Sequence, residues 1–324
     1  MSGPVYDGGV NANGEPSPLS SVVVGEALVD IVLQAADADA VVHPGGSPLN
    51  VAYGLARLGV PTTFRAQVGD DGYGRSIIRH LESAGVTFER ASVQDAPTST
   101  ATAHVDAQGR AEYEFDIAWH LDRAELPAGT RMLHTGSIAA VLQPGASEIW
   151  RLFAETRASG GVLLSFDPNV RPSITPDVAV VRAQVEELAA LAHVVKMSDE
   201  DAEWLYPGVD LETVLAQYLG AGSVLVGVTR GGEGCLLAAD GIRVSLPARP
   251  VDVVDTIGAG DSFMSGMLYA IASLGLAPGI LGGVIAEDEV VAIARTALES
   301  ARITVSRAGA NPPSRNELED AAAA

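Results

Sequence analysis

The chain has 324 residues, of which 47% are hydrophobic and 19% are charged, and this balance predicts a globular α/β protein and excludes a disordered chain. Its net charge of −21 excludes a sequence-independent nucleic-acid surface, because phosphate neutralisation requires clustered Lys and Arg side chains. No Lys or Arg precedes Arg57, and no apolar run is long enough to span a bilayer, so we expect a cytoplasmic protein without a membrane partner.

After a polar tail at residues 1–20, β-branched runs alternate with helical patterns, and this alternation predicts βαβ units around a mainly parallel sheet. The predicted strands are 22–24, 62–66, 132–134, 162–166, 194–197 and 224–228. The predicted helices are 49–58, 74–84, 146–158, 177–191, 211–219, 261–274 and 286–301, with a β-rich segment at 235–246 before the last two.

Two stretches interrupt this alternation, at residues 33–43 and 98–118, and their pattern predicts antiparallel strands inserted into the α/β unit. We interpret them as a small sheet that covers one face as a lid, with an ordinary hairpin as the alternative. The chain from 21 to 313 is predicted to be one domain, and the Ala-rich end at 314–324 a tail.

The stretch DTIGAGDSF at residues 255–263 places small residues between two aspartates, directly before a helical pattern. Gly258 and Gly260 permit a tight turn with inward N–H groups at a helix N-terminus, which predicts an anion hole. A carboxylate beside an anion hole can accept a proton from an attacking hydroxyl, so Asp261 is a candidate general base for phosphoryl transfer to an alcohol. An acidic helix cap is the alternative interpretation.

This stretch resembles the C-terminal signature of the PfkB or ribokinase-like carbohydrate kinases, Asp-Thr-x-Gly-Ala-Gly-Asp-x-Phe. The segment PGGSPLNVAYGLARLG at residues 44–59 resembles their N-terminal signature, Gly-Gly-x-x-x-Asn-x-Ala. The similarity extends over residues 22–313. It implies a ribokinase-like three-layer α/β/α fold with a mainly parallel central sheet and a small β-sheet lid.

The resemblance also implies a sugar site formed by Asp30, Gly45, Gly46, Asn50 and Arg171. The segment VVGEALVDIV resembles the first strand of the fructokinase branch, and it places Asp30 at the C-terminal end of that strand. Asp30 can bind two vicinal hydroxyls, Gly46 lets a sugar approach the backbone, and Asn50 offers a donor and an acceptor. Arg171 ends a segment, DPNVR, that resembles another element of this branch, and it is the candidate cation near phosphate or substrate, with a surface salt bridge as the alternative.

The segment VTRGGEG at residues 228–234 resembles the nucleotide-binding turn of the family. The implied nucleotide contacts are Thr229, Gly231 and Gly234, together with Ser198. Ser198 begins a segment, SDEDAEWL, that resembles the Asn-x-x-Glu region of the family.

Metal sites are implied at two acidic residues. Asp201 stands where a Glu is commonest in the family, and its carboxylate is one methylene group closer to the backbone. The resemblance implies that Asp201, like that Glu, helps to order Mg²⁺ indirectly. Asp255 and Ile257 occupy positions that match the monovalent-cation site of the family, where Ile257 could contribute only its carbonyl. ATP and Mg²⁺ are therefore expected, and K⁺ is a further candidate.

The implied activity is transfer of the γ-phosphate of ATP to a hydroxyl of a small sugar. Asp261 is the base, and the N–H groups of Gly258, Ala259 and Gly260 stabilise the transferring charge. The spacing Gly-Glu-x-x-x-Asp at residues 25–30 favours fructose, whereas 2-keto-3-deoxygluconate kinases, ribokinases and nucleoside kinases of the same fold are alternatives. The lid strands could also pair across a homodimer.

Three other protein classes fit the sequence less well. The only lysine, Lys196, does not belong to a G-x-x-x-x-G-K motif, which excludes a P-loop kinase. A GDSL-type esterase with Ser262 as nucleophile is a remote alternative, because its histidine base is expected downstream and no histidine lies beyond His193. A catalytically inactive binding protein on a kinase scaffold is the third.

Overall fold

The structure is a computed structural model that describes residues 19–34, 40–92, 95–105, 111–123 and 125–323. Its strands are β1 (Ser20–Val24), β2 (Leu28–Gln34), β3 (Val41–Gly45), β4 (Thr62–Ala66), β5 (Thr87–Arg90), β6 (Ser99–Val105), β7 (Ala111–Asp116), β8 (Thr130–Gly136), β9 (Leu163–Asp167), β10 (Val194–Ser198), β11 (Leu225–Thr229), β12 (Cys235–Ala239) and β13 (Ile242–Leu246). Its α-helices are α1 (Ser47–Arg57), α2 (Gly72–Ser83), α3 (Gly145–Ser159), α4 (Val178–Leu191), α5 (Asp199–Leu205), α6 (Leu211–Ala221), α7 (Ala259–Ser273), α8 (Ala277–Leu281), α9 (Glu287–Val305) and α10 (Arg315–Ala323).

Nine strands within the described ranges form one sheet in the order β13-β12-β11-β10-β9-β8-β1-β4-β5. The pairs from β5 to β11 are parallel, and β12 and β13 are antiparallel additions at one edge. The order reverses at β1, which has β4 on one side and β8 on the other. In open α/β sheets, ligands bind at the carboxyl ends of the strands beside such a reversal. The predicted mainly parallel sheet is thus confirmed.

Helices cover both faces of this sheet. Alternate residues of its strands point to opposite sides, and because both sets are apolar, each face has to be covered. Val23 packs into a cluster with Leu49 of α1 and Met264 of α7. Its neighbour Val24 packs on the other face with Phe153 of α3. The three-layer α/β/α prediction is therefore confirmed. In the described part of the chain, no helix is both long enough and apolar enough to cross a membrane.

A second, smaller sheet has the order β3-β2-β6-β7 and confirms the small sheet predicted from the interrupted alternation. Strand β2 is parallel to β6, and the other two pairs are antiparallel. Parts of the predicted segments, at residues 35–39 and 106–110, lie outside the described residues.

The prediction that Asp30 ends the first strand is wrong. Strand β1 ends at Val24, and after Gly25–Ala27 the chain enters β2, where Asp30 pairs with His43 of β3. The apolar run VVVGEALVDIV joins two strands of different sheets, and its hydrophobic pattern does not show the break. The short elements β5, α5 and α8 were also not predicted, since few residues form each of them.

The C-terminal segment, predicted as a tail, forms helix α10 at residues 315–323. The Glu317 carboxylate accepts hydrogen bonds from the Ser314 N–H at 2.7 Å and from Arg307 at 2.6 Å, and it is 3.3 Å from Arg57. Leu318 is 3% exposed and belongs to the core under α7 and α9. A high content of Ala and Glu favours helix, and the buried leucine docks it.

We expect Leu318→Ala to lower the free energy of unfolding by about 2–4 kcal/mol, because it removes a buried leucine and leaves a cavity. The measurement is urea denaturation followed by circular dichroism. Glu319→Ala, at an exposed position of the same helix, is the matched control and should change stability by less than about 0.5 kcal/mol. Equal effects of the two substitutions would mean that α10 is not docked.

Candidate active site

The two signature segments of the sequence meet at Asp261. Its Oδ1 accepts a hydrogen bond from Ser47 Oγ at 2.6 Å, and its Oδ2 accepts one from Asn50 Nδ2 at 2.8 Å. Ser47 and Asn50 lie in the first turn of α1, and Asp261 lies in the first turn of α7. The Asp261 side chain binds another helix instead of the N–H groups of its own, so the capping alternative does not describe it. With 8% of its surface exposed, this carboxylate is held but still accessible.

The turn before α7 requires its two glycines for different reasons. Gly258 has φ 74°, in the left-handed region, and a Cβ at this position would lie 2.6 Å from Cβ of Ala310. A Cβ on Gly260 would lie 3.0 Å from Nζ of Lys196. The first glycine permits the turn, and the second permits the ammonium group to approach the backbone.

Backbone N–H groups at the start of α7 form the candidate anion hole. Ser262 N–H donates to Gly258 O at 2.8 Å and so begins the regular helical hydrogen bonds. The N–H groups of Gly260 and Asp261 precede this ladder and lie at the positive end of the helix dipole. The N–H of Ala259 donates to Thr256 O at 3.2 Å and is thereby partly engaged.

A buried ion pair lies beneath this turn, and sequence reasoning did not find it. Lys196 Nζ donates to Asp167 Oδ2 at 2.8 Å, and both residues are nearly inaccessible to solvent. Burial alone would lower the pKa of Lys196, but Asp167, Asp201 and Asp261 outweigh burial and raise it. Burial raises the pKa of Asp167 to about 6, while Lys196 opposes this shift. Each partner favours the charged form of the other.

His134 and Ser165 extend this buried polar group along the neighbouring strands. His134 Nδ1 lies 3.0 Å from Ser165 Oγ, and both residues are fully buried. Burial, together with the charge of Lys196, lowers the pKa of His134 to about 3, so its imidazole is neutral at physiological pH. His134 Nε2 and Asp167 Oδ1 are buried atoms without a hydrogen-bond partner in the described structure.

The residues predicted to bind sugar lie close to the connection between the two sheets, a region that we call the crevice. Asp30 projects from β2 against Gly45, where the Cβ of a larger residue would clash with Asp30 Oδ2. Gly46 has φ 111° and directly precedes α1. Burial raises the pKa of both Asp30 and Glu26, and the positive charge of the exposed Arg171 opposes this shift. Asn50 is the exception, because its side-chain amide binds Asp261.

Glu26 is a buried acid of this crevice that sequence reasoning did not select. Its Oε2 accepts a hydrogen bond from the Ala139 N–H at 3.1 Å, and 4% of the residue is exposed. Burial raises the pKa of Glu26 to about 8, against the opposing hydrogen bonds from Ser137 and Ala139. Ser137 itself has φ 55°, and Asn169, after the neighbouring strand, has φ 35°. Such unusual backbone at the carboxyl ends of strands is frequent at functional sites.

The predicted nucleotide contacts lie at the carboxyl ends of neighbouring strands in the same large sheet. Ser198 and Thr229 are register partners at the ends of β10 and β11, and Thr229 Oγ1 donates to Met197 O at 3.4 Å. Gly231 and Gly234 have φ 49° and 96°. A Cβ on Gly234 would clash with the end of β13, so this glycine shapes the loop itself.

The two acids predicted near metals both bind backbone N–H groups. Asp201 accepts from Val170 and Ser198, each at 2.9 Å, and thereby joins the ends of β9 and β10. Asp255 accepts from Ile257 at 3.0 Å and Gly309 at 2.9 Å, and these bonds lower its pKa. Among the described side chains, no three His, Cys, Asp or Glu residues form a group that could hold a metal ion.

The esterase alternative does not fit the position of Ser262. This residue is 2% exposed, and its Oγ lies 2.8 Å from Ser300 Oγ and accepts a hydrogen bond from Thr304 Oγ1 at 2.7 Å. Both partners belong to α9, so Ser262 joins two helices and cannot attack a substrate in the crevice.

The buried Glu26 generates a prediction about stability and pH. The pKa of Glu26 is about 8 in the folded protein, whereas its ordinary value, which applies to the unfolded chain, is 4.5. Between these two pH values, the Glu26 carboxyl is protonated in the folded protein and ionised in the unfolded chain. This contribution to stability is present below about pH 4.5 and is lost as the pH rises to about 8. Glutamine does not titrate, so the melting temperature of Glu26→Gln should fall less between about pH 5 and pH 8 than that of the parent. Parallel plots of melting temperature against pH for the two proteins would contradict the raised pKa of Glu26.

Comparison with known proteins identifies the family. Residues 19–317 match the profile of the pfkB family carbohydrate kinases. The chain is 35% identical over 262 residues to the fructokinase of Salmonella typhimurium, an alignment that covers 78% of this chain and 85% of that protein.

Solved structures show the same fold. The crystal structure of fructokinase from Xylella fastidiosa with bound ATP superimposes with a TM-score of 0.81 at 25% identity, covering 93% of this chain and 97% of the other. A double mutant of Vibrio cholerae fructokinase, in a form with fructose, ADP and potassium bound, gives a TM-score of 0.76 at 26% identity, covering 94% and 98%. The chain therefore belongs to the pfkB family of carbohydrate kinases.

Proposed function

We propose that this carbohydrate kinase transfers the γ-phosphate of ATP to a hydroxyl of fructose, with Asp261 as the general base. The observation that carries the proposal is the pair of hydrogen bonds from Ser47 and Asn50 to Asp261. They place the carboxylate of one signature segment against the other, at the N-terminus of α7. A base and an anion hole next to each other are what phosphoryl transfer to an alcohol requires.

Asp261 performs the proton transfer in the proposed mechanism. Each of its carboxylate oxygens accepts one hydrogen bond and keeps a lone pair for the sugar hydroxyl. As the hydroxyl oxygen forms its bond to the γ-phosphorus, its proton passes to Asp261, and the bond from phosphorus to the β,γ-bridging oxygen breaks to release ADP. The N–H groups of Gly260 and Asp261 stabilise the charge of the transferring phosphoryl group, and those of Gly258 and Ala259 complete the predicted anion hole.

Fructose is supported by the crevice and by the relatives. Asp30 offers a carboxylate for neighbouring hydroxyls, and Gly45 and Gly46 keep the adjacent backbone accessible. The segment at 112–121 contains no Lys or Arg to bind a sugar acid, which favours a neutral sugar. The Salmonella relative is a fructokinase, and the Vibrio cholerae fructokinase was solved with fructose bound.

The nucleotide is proposed to lie along the ends of β10 and β11, beside Ser198, Thr229 and the loop with Gly231 and Gly234. Mg²⁺ would neutralise phosphate charge and would take most of its ligands from phosphates and water, which suits a chain without a cluster of three acidic or His ligands among its described residues. In this arrangement, Asp201 orders the backbone around the phosphates by holding Val170 and Ser198.

For K⁺, we propose the loop that Asp255 ties to Gly309, with the Ile257 carbonyl as a candidate ligand. The potassium in the Vibrio cholerae structure supports this proposal. A homodimer through the small sheet stays a prediction, for which β3 and β7 are the available edge strands.

The base is tested by Asp261→Asn in a coupled assay of ADP release with ATP and Mg²⁺. We expect kcat to fall about 10²- to 10⁴-fold, because the amide cannot accept the proton. The panel of acceptors is fructose, ribose, tagatose, 2-keto-3-deoxygluconate and adenosine. Asp288→Asn, an exposed acid in the first turn of α9, is the control and should keep full activity. Full activity of Asp261→Asn would exclude this residue as the base.

Sugar binding is tested separately by Asp30→Asn. Loss of charge-assisted hydrogen bonds to the hydroxyls should raise the KM for fructose at least about tenfold, with a smaller change in kcat. The control is Asp240→Asn in the exposed turn between β12 and β13, which should leave both constants unchanged. An unchanged KM in Asp30→Asn would place the sugar elsewhere.

A further inference from the structure

One face of the large sheet changes from apolar to polar along its strands. Met132, Leu163, Val194 and Leu225 occupy the amino-terminal halves of β8, β9, β10 and β11 and join the core beneath α1, α7 and α9. Two and four residues further along the same strands, and therefore on the same face, six of the eight positions carry polar side chains and the other two are glycines, Gly136 and Gly227. The polar residues are His134, Ser165, Asp167, Lys196, Ser198 and Thr229. The change occurs under the N-terminus of α7.

The buried Lys196–Asp167 ion pair in this polar region is weak evidence for a role in stability. Taking two charges out of water is costly, and a hydrophobic pair of similar volume is often equally stable or more stable. Both side chains are almost completely buried. On the same face of their strands, the residues nearer the amino-terminal end, Leu163 and Val194, are apolar and belong to the core. A role connected with the site above is therefore the better explanation for the pair.

The position of the ammonium group indicates that role. A Cβ on Gly260 would lie 3.0 Å from Lys196 Nζ, so the charge lies directly against the backbone of the anion-hole turn. Asp167 fixes the ammonium there with a 2.8 Å hydrogen bond. Lys196 is the only lysine of the chain, and although burial lowers its pKa, the negative charges of Asp167, Asp201 and Asp261 outweigh burial and raise it.

We propose that Lys196 is a positioning residue for phosphoryl transfer, whose ammonium, fixed by Asp167, adds a permanent positive charge beneath the Gly260 turn. This inference rests on the proposed function of that turn. In a water-excluded site, such a charge stabilises negative charge that develops on the transferring group more effectively than it would in water. It also explains the glycine at 260, since a side chain there would displace the ammonium.

The kinetic test compares Lys196→Met with the double variant Lys196→Met/Asp167→Asn. The single variant leaves Asp167 buried without its partner, so a loss of both stability and activity is expected. The double variant removes that unpaired charge, and its melting temperature should recover. If Lys196 acts on the anion hole, kcat of the double variant stays about 10- to 100-fold below the parent, whereas KM for fructose changes less than about threefold. If kcat recovers together with the melting temperature, the pair is merely structural and the proposal is overturned.

A spectroscopic test uses the single lysine. Protein labelled selectively with ¹⁵N-lysine has one side-chain ammonium signal in its NMR spectrum. Addition of ADP, Mg²⁺, fructose and aluminium fluoride, which imitates the transferring phosphoryl group, should shift this signal relative to ADP, Mg²⁺ and fructose alone. An unchanged signal would overturn the proposal.

The outcomes separate this proposal from the function itself. If the parent enzyme phosphorylates fructose and Asp261→Asn does not, but the double variant equals the parent, only the role of Lys196 fails. If the parent releases no ADP with any sugar of the panel, the proposed function fails first, and the anion-hole role of Lys196 fails with it.

Discussion

The hydrogen bonds from Ser47 and Asn50 to Asp261 join the first turns of two helices that are more than two hundred residues apart in the chain. Helices α1 and α7 pack closely on the same face of the sheet, and Gly54 allows this approach because a Cβ there would lie 2.5 Å from Ser265 Oγ. Close packing between helices with well-defined rotamers holds a catalytic group more rigidly than a loop can. The geometry of the candidate base therefore depends on the core of the protein.

Much of the fold follows from local pattern, because buried parallel strands are short apolar runs and the helices that cover them are amphipathic. The strand at Thr62–Ala66 has its predicted bounds, and the other predicted strands of the large sheet differ by one or two residues at one or both ends. The error at Asp30 has a physical cause: β1 and β2 are both hydrophobic and only three residues apart. Which sheet a strand joins depends on tertiary contacts that a local pattern does not contain.

The site was predicted only in part, for a similar reason. Gly258 and Gly260 are predicted because a tight turn requires special backbone, as the left-handed Gly258 shows, whereas the glycines of the sugar and nucleotide segments are implied by the family resemblance. Lys196 carries a signal as well, a single charge within the buried run VVKMS, and Glu26 carries one after VVV. That signal indicates a buried charge but not its partner. Asp167 and the Gly260 turn are brought to Lys196 only by the order of the strands in the sheet and by the packing of α7.

The short connections of β2 and β3 have a mechanical consequence. The hairpin-like pair is joined to the rest of the chain by Gly25–Ala27 at one end and by Gly46 at the other. These connections lie against each other, since a Cβ on Gly46 would be 2.8 Å from Glu26 O. Two covalent attachments that meet at one point form a pivot. Strand β2 is also hydrogen-bonded to β6 along its whole length, and β6 to β7, so a rotation about this pivot would move the four strands of the small sheet as one unit.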